Sequence, residues 1–184
     1  MQNSSPRPKY INYSKEFTCV PAEFFDKDNR LSYMRFLFGD GKTRVAPTGV
    51  VMHQRLATQN IVVIHAVSKE EYDTVKQLYP GCEFTHIMVQ LIDAYSNSLS
   101  TPAGKRMVVN PTMQGIDIVC FERNELLLAN HFDNTKIEEM VYFTLLIWNH
   151  LGFNQEADTL CITDINNAEL TRKLQEYIRH IVVG

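Results

Sequence analysis

A chain of 184 residues is long enough for one domain or two small lobes, and folding it removes roughly 70% of the unfolded surface from water. With 45% apolar residues, 21% charged residues and a net charge of −3, its balance is that of an ordinary soluble globular protein. The basic residues are scattered rather than striped, which gives no reason to expect nucleic acid. The most apolar window, Val141 to Trp148, is far short of the roughly 20 residues that cross a bilayer, which argues against a membrane span. The opening MQNSSPRPKYINYSK has prolines and polar groups where a secretory signal needs an apolar run, so a cytoplasmic location is expected.

In chain order, residues 1–16 read as a loose N-terminus. Glu16 to Val20 reads as a strand stopped by Pro21, and Leu31, Met34 and Phe38 have the spacing of a short buried helix, ended by Gly39-Asp40-Gly41. The run IVVIHAV, from Ile61 to Val67, is short, β-branched and apolar, as a strand buried on both faces should be. Ser68-Lys69-Glu70-Glu71 matches a capping box, in which the serine hydroxyl satisfies a free amide at a helix start. Tyr72, Val75, Leu78 and Tyr79 are the expected buried stripe of that helix. Pro80-Gly81 breaks the chain, Cys82 to Thr85 reads as a short strand, and His86 to Tyr95 has the apolar density of a helix.

SNSLSTPAGK, from Ser96 to Lys105, lacks bulky periodic residues and reads as a linker. It divides the sequence into a first α/β lobe over residues 17–104 and a second over 105–184. In the second lobe, Arg106 to Val109, Ile116 to Phe121 and Leu126 to Ala129 read as strands, the last two joined by the polar turn Glu122-Arg123-Asn124-Glu125. Thr135-Lys136-Ile137-Glu138 is a second capping box, opening a helix that presents Ile137, Met140, Val141, Leu145, Trp148 and Leu151 on one face and stops at Gly152. Thr159 to Thr163 reads as a strand. Asn166 and Glu169 then cap a final helix whose Leu170, Leu174, Ile178 and Ile181 recur at helical spacing.

The four cysteines stand at least 38 residues apart with no CxxC pair, which suits small buried hydrophobes in a reducing compartment. The six histidines form no i, i+4 pair and no Cys/His ligand cluster, so no metal site is expected. His65, inside an apolar strand, and His86, at the end of another, read as hydrogen-bonded core residues rather than bases. No GxSxG, GxxxxGK[ST] or GxGxxG pattern occurs, and Glu70-Glu71, Glu125 and Glu138-Glu139 serve helix starts and turns. No residue is singled out as catalytic.

The strings FTCVPAEFF, NELLLANHFDN, EEMVYFTLLIWNHLGF and LQEYIRHI together resemble an uncharacterised bacterial family of unknown function, whose fold is similar to that of the actin, sugar kinase and heat-shock chaperone ATPases. The resemblance runs from Phe17 to the C-terminus and is most specific in the last sixty residues. It implies an α/β fold of two small lobes, actin-like and related to ribonuclease H. It also implies further strands and a helix ahead of FTCVPAEFF, where this sequence has sixteen residues, so the first lobe is expected to be incomplete and to lack its phosphate hairpin.

The resemblance further implies a second phosphate loop, built as a strand, Asp-x-Gly, a short turn and a return strand. Val108 to Asp117 lies in register with it. Asn110 stands where the aspartate belongs, and a neutral amide adds no anionic charge to hold magnesium and its water shell. Thr112 replaces the glycine where backbone must approach phosphate, and Pro111 removes an amide donor. Asp164-Ile165 follows the strand Thr159 to Thr163 where family members tend to have glycine. Asn110, Thr112, Gly115 and Asp117 are therefore read as positions of a degenerate phosphate loop, with no cofactor expected and ATP with magnesium as the exception to test. The expectation is a non-catalytic scaffold or interaction protein with a protein partner or a homo-oligomer. The alternative is an ATP-dependent kinase or ATPase whose first phosphate loop lies outside this sequence.

Overall fold

The structure is a computed structural model that describes residues 7–38, 49–96, 104–133, 136–164 and 167–184. Its contacts divide the chain into two compact units, Met1–Gln90 and Leu91–Gly184, with the division falling inside helix α3 (Ile87–Ser96).

The first unit is built from β1 (Lys9–Asn12), β2 (Phe17–Pro21), α1 (Arg30–Phe38), β3 (Gly49–Leu56), β4 (Ile61–Ser68), α2 (Lys69–Leu78) and β5 (Glu83–His86). β4 forms the middle of an antiparallel sheet ordered β2-β4-β3, and β1 pairs with β5 in a parallel pair. The β-branched run of β4 is buried from Val62 to Val67, as its composition requires. Met34 is the one fully buried residue of α1, and it packs on Val20, Val51, Val62, Ile64 and Ala66.

Four readings of this half change. β1 lies inside the segment expected to be loose, because its backbone pairs with β5 from Lys9↔Glu83 to Asn12↔His86. β3, which has no counterpart in the sequence reading, buries only Val51 and Leu56, carries the polar run His53-Gln54-Arg55 between them, and pairs along the whole of β4. In α1, Leu31, Leu37 and Phe38 are exposed beside the buried Met34, so the helix is not a buried one. The expected stripe of α2 is half-buried at Tyr72 and Val75 and exposed at Leu78 and Tyr79. The capping box holds: Ser68 Oγ accepts the Glu71 amide at 3.1 Å. Gly39-Asp40-Gly41 lies outside the described residues.

Three buried polar side chains of this unit, Asn12, His65 and His86, form one interlocked set. Asn12 Oδ1 accepts the Ser14 amide at 3.0 Å, which turns its Nδ2 toward the Ala66 carbonyl at 2.8 Å and His65 Nδ1 at 3.0 Å. His65 Nδ1 must then carry a bare lone pair. His86 Nε2 donates to the Ser14 carbonyl at 2.7 Å while its Nδ1 accepts the Met88 amide at the start of α3. Both histidines are thus held hydrogen-bonded in the core, as expected. Burial, with smaller contributions from His86 and His53, pushes the His65 pKa down to about 3.

The second unit contains β6 (Lys105–Pro111), β7 (Gly115–Glu122), β8 (Glu125–Asp133), α4 (Ile137–His150), β9 (Thr159–Ile162), α5 (Ala168–Leu174) and β10 (His180–Val183). The sheet order is β10-β9-β6-β7-β8, with β6, β9 and β10 parallel and β7 and β8 antiparallel to their neighbours. Arg123 and Asn124 both take positive φ, 49° and 72°, which closes the tight β7–β8 turn at the polar stretch expected there. Met107, Val109, Ile116, Ile118, Cys120, Leu160 and Ile162 face Met140, Ile147 and Trp148 of α4 and Leu170 and Leu174 of α5. Each such side chain contributes on the order of 2 kcal/mol on leaving water.

Two readings change here. The final helix stops at Leu174. Ile178 reaches the core from a turn, and the β-branched segment HIVV becomes β10, paired with β9 from His180↔Thr159 to Val183↔Ile162. β8 runs to Asp133 rather than Ala129, because its pairing with β7 continues to Gly115↔Asp133. Of the two expected caps, Thr135 and Asn166 lie outside the described residues. Lys136 and Asn167 occupy the cap positions without side-chain cap bonds. Gly152 takes φ +64° past the end of α4, where Lys105 Nζ also donates to the Leu151 carbonyl at 2.6 Å.

Two outcomes follow for stability. An unfolded histidine titrates near 6.5 and His65 in the folded chain near 3, so the unfolded state takes up the proton first as pH falls. The stabilisation is whole above pH ~6.5 and drains by about 1.4 kcal/mol per unit toward pH ~3. Urea denaturation across that range is expected to show this slope, reduced in His65→Gln. Gly152→Ala, which places a Cβ at positive φ, is expected to lower stability by about 1 kcal/mol in the same assay.

Candidate functional site

The hairpin between β6 and β7 turns tightly around Met113 and Gln114. The Thr112 amide donates to the Gly115 carbonyl at 2.8 Å, Thr112 Oγ1 donates to the same carbonyl at 3.1 Å, and the Gln114 amide donates to Thr112 Oγ1 at 3.2 Å. Pro111 has no amide to offer. Met113 caps the turn and is 97% exposed. The amides at 112 and 114, which an anion-gripping loop would direct outward, are turned into the hairpin itself.

Behind the turn, strand register assembles a polar cluster. Asn110 lies opposite Asp117, and Asp117 opposite His131. Met107, Val109, Ile116, Ile118, Leu128 and Phe132 point into the α4 core, so alternation sends Asn110, Asp117 and His131 to the other face of the sheet. There Asn110 Nδ2 donates to Asp117 Oδ2 at 2.8 Å, and His131 Nδ1 donates to Asp117 Oδ1 at 2.8 Å. Thr163, just past β9, donates from Oγ1 to Asn110 Oδ1 at 2.6 Å. Asp117 is buried, and both of its oxygens are occupied. His131 Nε2 is buried without a hydrogen-bond partner among the described residues, with Asp133 Oδ1 3.5 Å away.

The four positions singled out in the sequence therefore fall into two groups. Asn110 and Asp117 are bonded to each other, and Thr112 and Gly115 close the turn two residues farther along. His131 and Thr163 belong to the same cluster and were not singled out. Asp164 accepts Asn167 Nδ2 at 2.7 Å, and residue 165 lies outside the described residues. Among the described residues no group of three or more histidine, cysteine, aspartate or glutamate side chains is arranged to hold a metal ion. No helix among them is long and apolar enough to cross a membrane.

A family model described as a protein of unknown function, DUF3822, matches residues 10–181. The chain belongs to the DUF3822 family. A crystal structure from Bacteroides thetaiotaomicron, of a protein with an actin-like ATPase fold and unknown function, is similar to it at 29% identity with a TM-score of 0.84. The match covers 97% of this chain and 68% of that one. None of the curated proteins matches. The mixed α/β architecture is thus an actin-like ATPase fold, as the sequence resemblance implies.

The cluster makes a stability test of its own logic. Asn110→Asp sets a second carboxylate against Asp117 in a buried place and is expected to cost about 2 kcal/mol by urea denaturation. Adding Asp117→Asn exchanges donor and acceptor while leaving Thr163 and His131 able to donate, so the double variant is expected to recover most of that loss. A double variant no more stable than Asn110→Asp alone would show that the pair is not coupled.

Proposed function

We propose that this chain is a non-catalytic actin-like protein that works by binding other protein chains, and that its β6–β7 hairpin is a degenerate phosphate loop. The observation that carries the reading is the use of the hairpin's polar groups inside the sheet. Asn110 is spent on Asp117 and Thr163, Asp117 on Asn110 and His131, and the amides of Thr112 and Gln114 on the turn. A magnesium–phosphate group held here would need a free carboxylate and outward amides. Asp117, the carboxylate that faces Asn110, would have to give up two hydrogen bonds to serve, at a cost of about 1.5 to 3 kcal/mol each.

A cytoplasmic location is part of the same proposal. Four free cysteines, three of them buried, suit a compartment in which thiols stay reduced. The rival reading is an ATP-dependent kinase or ATPase whose first phosphate loop lies outside this sequence. It draws on the fold and on the third of the Bacteroides chain that the match leaves uncovered.

A thermal-shift titration with ATP and magnesium separates the two. No rise in melting temperature is expected up to millimolar nucleotide. A ligand at 100 times its dissociation constant adds about 2.7 kcal/mol, so a rise of that size would overturn the degenerate-loop reading.

A further inference from the structure

We propose that two copies of this chain pair through the free edge of β2, antiparallel about a twofold axis at Cys19, with the α1 flanks of both copies closing over the joined strands. This names the partner for the interaction role above and rests on that reading.

β2 is the outer strand of the β2-β4-β3 sheet. The Ala66 amide donates to the Glu16 carbonyl and the Ala22 amide to the Asn60 carbonyl, so even-numbered residues of this stretch face β4. Phe17, Cys19 and Pro21 accordingly turn their backbone groups to the open side. There the Phe17 amide is used by the Lys15 carbonyl, Pro21 has no amide, and the Pro21 carbonyl accepts the Phe24 amide at 3.0 Å. Within β2, Cys19 is left with both an outward donor and an outward acceptor among the described residues. One donor and one acceptor on a single residue are self-complementary under a twofold, because each Cys19 amide then meets the other copy's Cys19 carbonyl. The strand sequence FTCVP carries no charge, so pairing it with itself sets no like charges opposite one another.

Above this edge lies an apolar groove of about 410 Å³ between β2 and the side of α1 that carries Tyr33, Phe36 and Leu37. Phe36 is 86% exposed and continues into the exposed Leu37 and Phe38, a contiguous apolar flank of the kind that often marks a contact. Together with Leu37 and Phe38 it presents roughly 300 to 350 Å² of apolar surface. A standard interface takes about 800 Å² from each partner, a little over half of it apolar, so this flank and the groove beside it supply most of the apolar share of one such half. A lone peptide strand could fill the groove but would leave the outer side of Phe36 in water. A second copy brings its own Phe36 and Leu37 to cover it.

The test uses the full chain without nucleotide. Light scattering across a concentration series is expected to show a monomer–dimer equilibrium, and hydrogen exchange at Phe17–Pro21 is expected to slow as the dimer forms. Phe36→Asp, on an exposed position, is expected to keep the melting temperature of the dilute monomer and weaken dimerisation at least tenfold. Met113→Asp, on the equally exposed hairpin tip, is expected to leave it unchanged. A monomer at every concentration overturns the proposal, as does a dimer indifferent to Phe36→Asp or one without protection at β2. Protection of β2 only on adding a foreign strand-forming peptide overturns it too. A thermal shift with ATP would count against the degenerate-loop reading and leave the light-scattering result standing.

Discussion

Strand β6 is the constraint on which the second unit rests. It is hydrogen-bonded on both edges, antiparallel to β7 and parallel to β9, and Met107, Val108 and Val109 have no contact with solvent. Its last polar residue must therefore suit two neighbours at once. On one side stands Asp117, which only accepts when ionised, and on the other Thr163, which donates. An amide, with a donor and an acceptor on the same fork, satisfies both. The identity of Asn110 is thus fitted to both partners, the carboxylate at 117 and the hydroxyl at 163.

The same economy governs the turn. With two residues at its tip and the Thr112 side chain folded back on the Gly115 carbonyl, the hairpin closes on itself. A loop that wraps an anion keeps its amides unpaired until the anion arrives, and that openness has to be supported elsewhere in the fold. Here the amides of Thr112 and Gln114 are committed, and the helix-packed face behind them is continuous apolar core.

The readable parts of the sequence were those in which one local pattern fixes the outcome. IVVIHAV could only be a strand buried on both faces, Ser68 with Glu71 could cap a helix, and Gly152 could end one. Misreadings came where two patterns overlap. Leu170, Leu174, Ile178 and Ile181 keep helical spacing across a chain break, because a turn after α5 delivers Ile178 to the core just as a further helical turn would. The HIVV segment that follows favours a strand by its β-branching, and β9 had an edge to offer it. β3 escaped notice because His53, Gln54 and Arg55 blur its alternation. At the site, Asn110 and Asp117 were singled out through the resemblance, and they stand seven residues apart on one hairpin. Thr163 is 53 residues from Asn110 and His131 is 14 from Asp117, and only strand register brings them in. Ending β8 at Ala129 left His131 outside the sheet altogether.

The free thiols have a consequence beyond packing. Burial pushes Cys19 up to about 12 and raises Cys120 and Cys161 as well, while the attacking species in alkylation is the thiolate. Each of these sulfurs is a weaker nucleophile in the folded chain than when its strand opens. Cys19 belongs to the first unit and Cys120 and Cys161 to the second, so the native molecule carries its own labels for timing the local opening of either half.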